Sequence, residues 1–294
     1  MSRGGLGEWR EVGVAVQETH TRFAESAQGV ASDGNRWFVV SNRSTAGLIR
    51  KITDPRSFVT SARNSRRVGV YRIDGTRMDE VGPEPEIWAE LVRRNRLELH
   101  DHHIHFGAPC WALGSLLVPT QRPAGVWVLS DNLRRQDWWP DPLRDRPERF
   151  SWLAHEPGSG LLFTGLFHRP ATLQALEWES LRRVPSADVQ LGESTPRPDH
   201  VQGGAFLDAR RILLSSSHRG GQVFAYSVPD GRWLDLIELG DYFEMEGLTV
   251  QPCRVAGELA DVHILEAATD YWPFIKWGDS FSVRSYRIVA PTAP

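Results

Sequence analysis

The chain has 294 residues, 40% of them hydrophobic and 24% charged, with 12 tryptophans, which is material for a packed core and excludes disordered and fibrous classes. A formal charge of −3 excludes the strongly basic footprint of a nucleic-acid protein. The two cysteines, Cys110 and Cys253, exclude a disulfide scaffold or cysteine-rich zinc module, and their apolar contexts read as buried thiols that are not bonded to each other.

At the N-terminus, Met1 to Ala15 lacks the basic head and apolar run of a secretory signal, and no stretch approaches the roughly 20 apolar residues of a membrane helix. The expectation is a cytoplasmic protein without a membrane partner. Lysine is confined to Lys51 and Lys276 while arginine is abundant, which reads as the composition of a GC-rich bacterial genome.

Further along, an internal repeat sets the fold. Gln28–Ser41, Phe106–Thr120, Trp152–Gly165, Gly203–Ser216 and Glu246–Glu266 each hold a small or apolar strand, a turn, and a second strand ending in a polar residue. A third strand follows each: Arg67–Ile73, Gly125–Ser130, Ala171–Trp178, Gly221–Val228 and Ser280–Ile288. A fourth is legible in Arg232–Leu239, and the last unit needs one from Glu11–Gln17. The spacing matches the roughly 40–50 residues of a propeller blade. The reading is an all-β chain: a single β-propeller over 1–294 of five four-stranded blades, closed by an N-terminal strand. A sixth, degenerate blade in Gln121–Arg149 is the alternative.

Two segments depart from the repeat. The insertion 42–66 carries Arg43, Arg50, Lys51, Arg56, Arg63 and Arg66 against one acid, Asp54, and reads either as a solvated loop or as a cap that meets an anionic group. Glu84–Arg96 has helical spacing and reads as an ornament on the ring.

In a propeller the first strand of each blade lines the axis, so its opening residues converge. They are Glu25 and Gln28, His103 and His105, Arg149 and Trp152, His200 and Gln202, and Glu244 and Glu246. In Asp101-His102-His103-Ile104-His105, the period of two puts His103 and His105 on one strand face. With His200 and Glu246 they would form a His/carboxylate site for zinc, iron or manganese, with Asp101 and Asp199 as acceptors behind the imidazoles. Calcium fits less well, because the ring offers more imidazole and amide than carboxylate. Without a metal, Glu246 and His105 or His200 would serve as base and acid, with Gln28, Trp152, Gln202, Arg50 and Arg63 binding substrate. The run Ser215 to His218 reads as turn chemistry.

His200-x-Gln202-Gly203-Gly204 followed by a strand, with Glu244-x-Glu246-Gly247-Leu248-Thr249, resembles inner-strand motifs of propeller proteins, calcium-dependent nucleotidases of the apyrase type among them. The stretch from His105 to Arg122 is similar to one blade of that family. The resemblance implies the propeller.

Two functions remain: a small-molecule enzyme, hydrolase or lyase, at the channel mouth; or a non-catalytic module binding a glycan or protein through its tryptophans. Trp111 and Trp178 are expected to be wedges between blades. Signals for serine hydrolase, P-loop and zincin chemistry are missing.

Overall fold

The computed structural model describes residues 6–19, 27–42, 66–99, 104–142, 150–192, 196–218, 220–240, 244–252, 258–272 and 275–290. Within these, five antiparallel sheets form the blades of a propeller. Blade 1 runs β2 (Ala27–Ser32), β3 (Arg36–Asn42), β4 (Arg66–Arg72) and β5 (Arg77–Val81) outward from the axis. In blade 2 the inner place is shared by β6 (His105–Phe106) and β7 (Cys110–Ala112), followed by β8 (Ser115–Arg122), β9 (Ala124–Ser130) and β10 (Gln136–Pro140). Blade 3 holds β11 (Ala154–His155), β12 (Leu162–Thr164), β13 (Thr172–Leu176) and β14 (Val189–Gln190), and blade 4 holds β15 (Val201–Asp208), β16 (Arg211–Ser216), β17 (Gln222–Ser227) and β18 (Trp233–Glu238). Blade 5 takes β19 (Glu244–Pro252), β20 (Glu258–Trp272) and β21 (Ile275–Val289), and β1 (Glu8–Thr19) pairs antiparallel with β21 as its outer strand. A fourth strand from the N-terminus closes the ring, and 121–140 belongs to blade 2 rather than to a sixth blade.

A blade lies between two others, so its middle strands are buried on both faces and read as continuous apolar runs. Trp37 to Asn42 of β3 is buried throughout. The core accordingly splits into five layers, one at each blade interface. Trp111 stacks flat on Phe38 at 5.3 Å between blades 1 and 2, the expected wedge. Helix α1 (Pro85–Leu99) adds buried Trp88 and Leu91 to that layer. Proline at its first position leaves no orphan N–H there, and Glu90 binds Arg93 and Arg94, which hold its carboxyl down to about 2. No helix among the described residues is long and apolar enough to cross a membrane.

At the axis the inner strands approach backbone to backbone. A Cβ on Gly203 would lie 2.8 Å from Gly247 Cα, and one on Gly247 would lie 3.0 Å from Gly29 Cα. Gly29 in turn abuts Ala108, whose N–H donates to Ser151 O at 2.9 Å. Blades 1, 4 and 5 therefore meet through glycine, and any side chain at those positions would force the strands apart.

Candidate active site at the axial mouth

The register of three inner strands slips by one residue just before these glycines: between Ala27 and Gly29, Val201 and Gly203, and Met245 and Gly247. The residues left over are Gln28, Gln202 and Glu246. Such a bulge re-aims a side chain and ends regular pairing. Because the following glycines are in mutual contact, the three polar residues come from three blades to one axial level. Gln28 and Gln202 are half-buried, and Glu246 is 3% exposed.

Glu246 is the chemically distinctive member. Burial pushes its carboxyl well above the ordinary glutamate value, and the adjacent Glu244 carboxylate adds to the effect. Burial favours the neutral form of the Glu246 carboxyl, whereas the Glu244 side chain is exposed. Glu246 Oε2 is buried without a hydrogen-bond partner among the described residues. Buried polar atoms are mostly paired, and an unpaired carboxyl oxygen on an axial bulge marks Glu246 as the candidate acid.

Opposite the bulges, the polar residues that end the second strands act as clamps. Thr164 Oγ1 donates to Trp152 O at 2.8 Å, and Ser216 Oγ donates to Asp199 O. Asn42 donates from Nδ2 to Phe106 O at 2.5 Å and accepts from Phe106 N at 2.9 Å. Arg66, pushed down to about 10 by burial, donates to Ile104 O at 2.9 Å. The serine run read as turn chemistry thus pins the approach to β15: Ser216 Oγ also accepts from His218 N at 3.2 Å.

A second cluster occupies the same mouth beside blade 4. His168 Nδ1 lies 2.9 Å from Asp199 Oδ1, which also accepts from His200 N at 3.0 Å. The His168 bond, then the His200 N–H, hold the Asp199 carboxyl below its ordinary value against modest burial. His168, Asp199 and His200 each offer a ligand atom, all within 4.8 Å of one another. Val201 N donates to Phe167 O at 2.8 Å, Phe167 stacks on the His200 ring at 5.2 Å, and the His218 ring meets that of His200 edge to face at 5.6 Å. His200 adopts φ +52, a left-handed conformation that these bonds maintain.

The expected residues therefore separate. His200 joins His168 and Asp199, the one group of three metal-capable side chains that meets this spacing among the described residues; His105 and Glu246 do not share it. His105 Nδ1 instead faces Asn42 Nδ2 at 3.5 Å. Trp152 is wholly buried, with its ring against Gly204, so it is a core side chain rather than a ligand-facing one. Its place in blade 3 is taken up by packing against blade 4. His103, Arg50, Arg63, Glu25, Arg149 and Cys253, with 43–65 of the insertion, lie outside the described residues. Cys110 is a free thiol, pushed up to about 12 by burial.

His168 was missed by sequence reading, although a signal existed. In an antiparallel blade the second strand ends where the first begins, so the loop after β12 must face the same mouth as His200.

The fold is a five-bladed β-propeller with polar residues converging at one axial mouth. No protein-family model and no curated protein matches the chain by sequence. Among solved structures it is similar to glutaminyl cyclase of Myxococcus xanthus, at 10% identity over 94% of this chain and 96% of that one, with a TM-score of 0.57. It is also similar to a chain of a nidogen/laminin complex (9%, 83% of this chain and 73% of that one, TM-score 0.46). A third is the Malassezia sympodialis allergen Mala s 1 (10%, 95% and 78%, TM-score 0.48). At such identity the likeness concerns the fold alone.

Proposed function

We propose that the chain is a small-molecule enzyme of the hydrolase or lyase kind, working by proton transfer at the axial mouth. The buried Glu246, its carboxyl raised by burial and one of its oxygens without a partner among the described residues, carries this reading. Glu246 is the general acid, Glu244 the carboxylate that exchanges the proton with solvent, and the Gln28 and Gln202 amides orient the substrate. The fold neighbour is a glutaminyl cyclase, so an N-terminal glutaminyl peptide joins the hydrolase and lyase substrates as a cyclisation probe of the same carboxyl pair. Closing its ring takes a proton from the attacking amine and returns one to the departing ammonia, the kind of exchange a carboxyl pair supports. The test is turnover of that peptide and of a panel of small esters, amides and β-elimination substrates. Glu246→Gln should lower kcat about 100-fold or more with little change in KM; full rates in both Glu246→Gln and Glu244→Gln would sink the assignment.

A divalent metal is a second element of the proposal, carried by the spacing of His168, Asp199 and His200. Two imidazoles and a carboxylate suit zinc, iron or manganese, and such an ion supplies Lewis-acid polarisation or an activated water. Elemental analysis after exposure to each metal and dialysis should find about one equivalent, lost in His168→Ala/His200→Ala. Protein that retains none of the three metals, or a double variant that retains them equally, overturns it.

A further inference from the structure

Away from the axial mouth, a groove of about 470 Å³ lies between blades 2 and 3, within the size range of small-molecule sites. Its walls come from the turn between β7 and β8, the β9–β10 hairpin and the residues after β13. In antiparallel blades all three lie at the opposite end from the mouth.

The strand period fixes its chemistry. Gln136 and Trp138 of β10 turn towards blade 1: Gln136 Oε1 accepts from Glu84 N at 2.9 Å and Trp127 Nε1 at 3.1 Å, and Arg94 lies over the Trp138 ring. Asp137 and Trp139 therefore face the groove. Trp139 meets Trp178 of blade 3 edge to face, with ring centroids 5.4 Å apart, and both are half-buried. Trp178 is thus more than the expected wedge. Around the pair stand Arg135, Asp137 and Glu179, all exposed, with no ion pair to any of them among the described residues. Both rims are strained: Leu113 has φ +46 and is 68% exposed, and Glu179 has φ +60. Non-glycine residues in the left-handed region cluster at ligand sites, where the strain holds a shape.

We propose that this groove binds a neutral saccharide. A sugar ring presents an apolar C–H face to tryptophan and hydroxyls at its edge, which donate to Asp137 and Glu179 and accept from Arg135. The rim carries both signs, so a strongly charged ligand of either sign meets like charge, whereas a polyhydroxyl ligand uses every group. This reading is independent of the axial chemistry, which involves none of these residues.

The test is titration of the full chain with maltose, cellobiose, lactose and N,N′-diacetylchitobiose, followed by tryptophan fluorescence and saturation-transfer NMR, with nicotinamide as a planar non-sugar control. At least one disaccharide should saturate in the millimolar range or below, and Asp137→Ala and Glu179→Ala, both exposed, should each weaken it about tenfold while the circular dichroism is unchanged. The proposal fails if no disaccharide saturates by about 20 mM, if nicotinamide alone binds, or if both variants bind the sugar as the parent does.

Discussion

Gly203 and Gly247 lie back to back at the propeller axis, so close that a Cβ on the first would sit 2.8 Å from the Cα of the second and equally near Leu248 N and Ser215 Oγ. The obstacles include backbone, which cannot swing aside. Gly203→Ala should therefore destabilise the fold by about 2–3 kcal/mol. A lowered denaturation midpoint with an unchanged m-value would show it; a midpoint equal to that of the parent would mean that the inner strands have slack.

His263 lies between blades 5 and 1, its Nδ1 2.8 Å from Ser285 Oγ and its ring 4.5 Å from Trp37. Burial pushes it down to about 4, partly opposed by Asp261. Since the unfolded chain takes up the proton first, near 6.5, its contribution is complete above pH 6.5 and is lost as pH falls towards 4, by about 3 kcal/mol. Denaturation from pH 4 to 7 should give a flatter profile for His263→Gln than for the parent.

Glu246 works in the opposite sense. Its carboxyl is raised in the fold, so its contribution is complete below the unfolded glutamate value and is lost as pH rises through the range between the two. Glu246→Gln keeps the shape and removes the ionisation, so its stability relative to the parent should grow from pH 4.5 to 7. A difference independent of pH would show that Glu246 is ionised in the fold, and the acid role would fall with it.

Asn42 holds both the N–H and the C=O of Phe106 from the neighbouring blade. Asn42→Ala strands two buried backbone groups and should cost about 2–3 kcal/mol. Faster exchange of the Phe106 amide proton is the local readout; unchanged exchange would mean that another donor or water replaces the clamp.

Much of the fold was legible in the chain because a blade repeats. Each unit must bury both faces of its middle strands and turn sharply between them, so apolar runs such as Trp37–Val40 of β3 and Ile212–Leu214 of β16 recur at blade spacing, and Glu11–Gln17 was needed to complete the last blade. The polar residues before the axial glycines, Gln28, Gln202 and Glu246, could be aligned for the same reason. What tertiary structure alone decided is which polar groups meet. His200 pairs with His168 and Asp199 because the loop after β12 reaches the same mouth, and Trp152 is core because Gly204 leaves space for its ring. The Glu246 carboxyl is raised because the fold buries it. Burial and through-space distance set those properties, and neither is local in sequence.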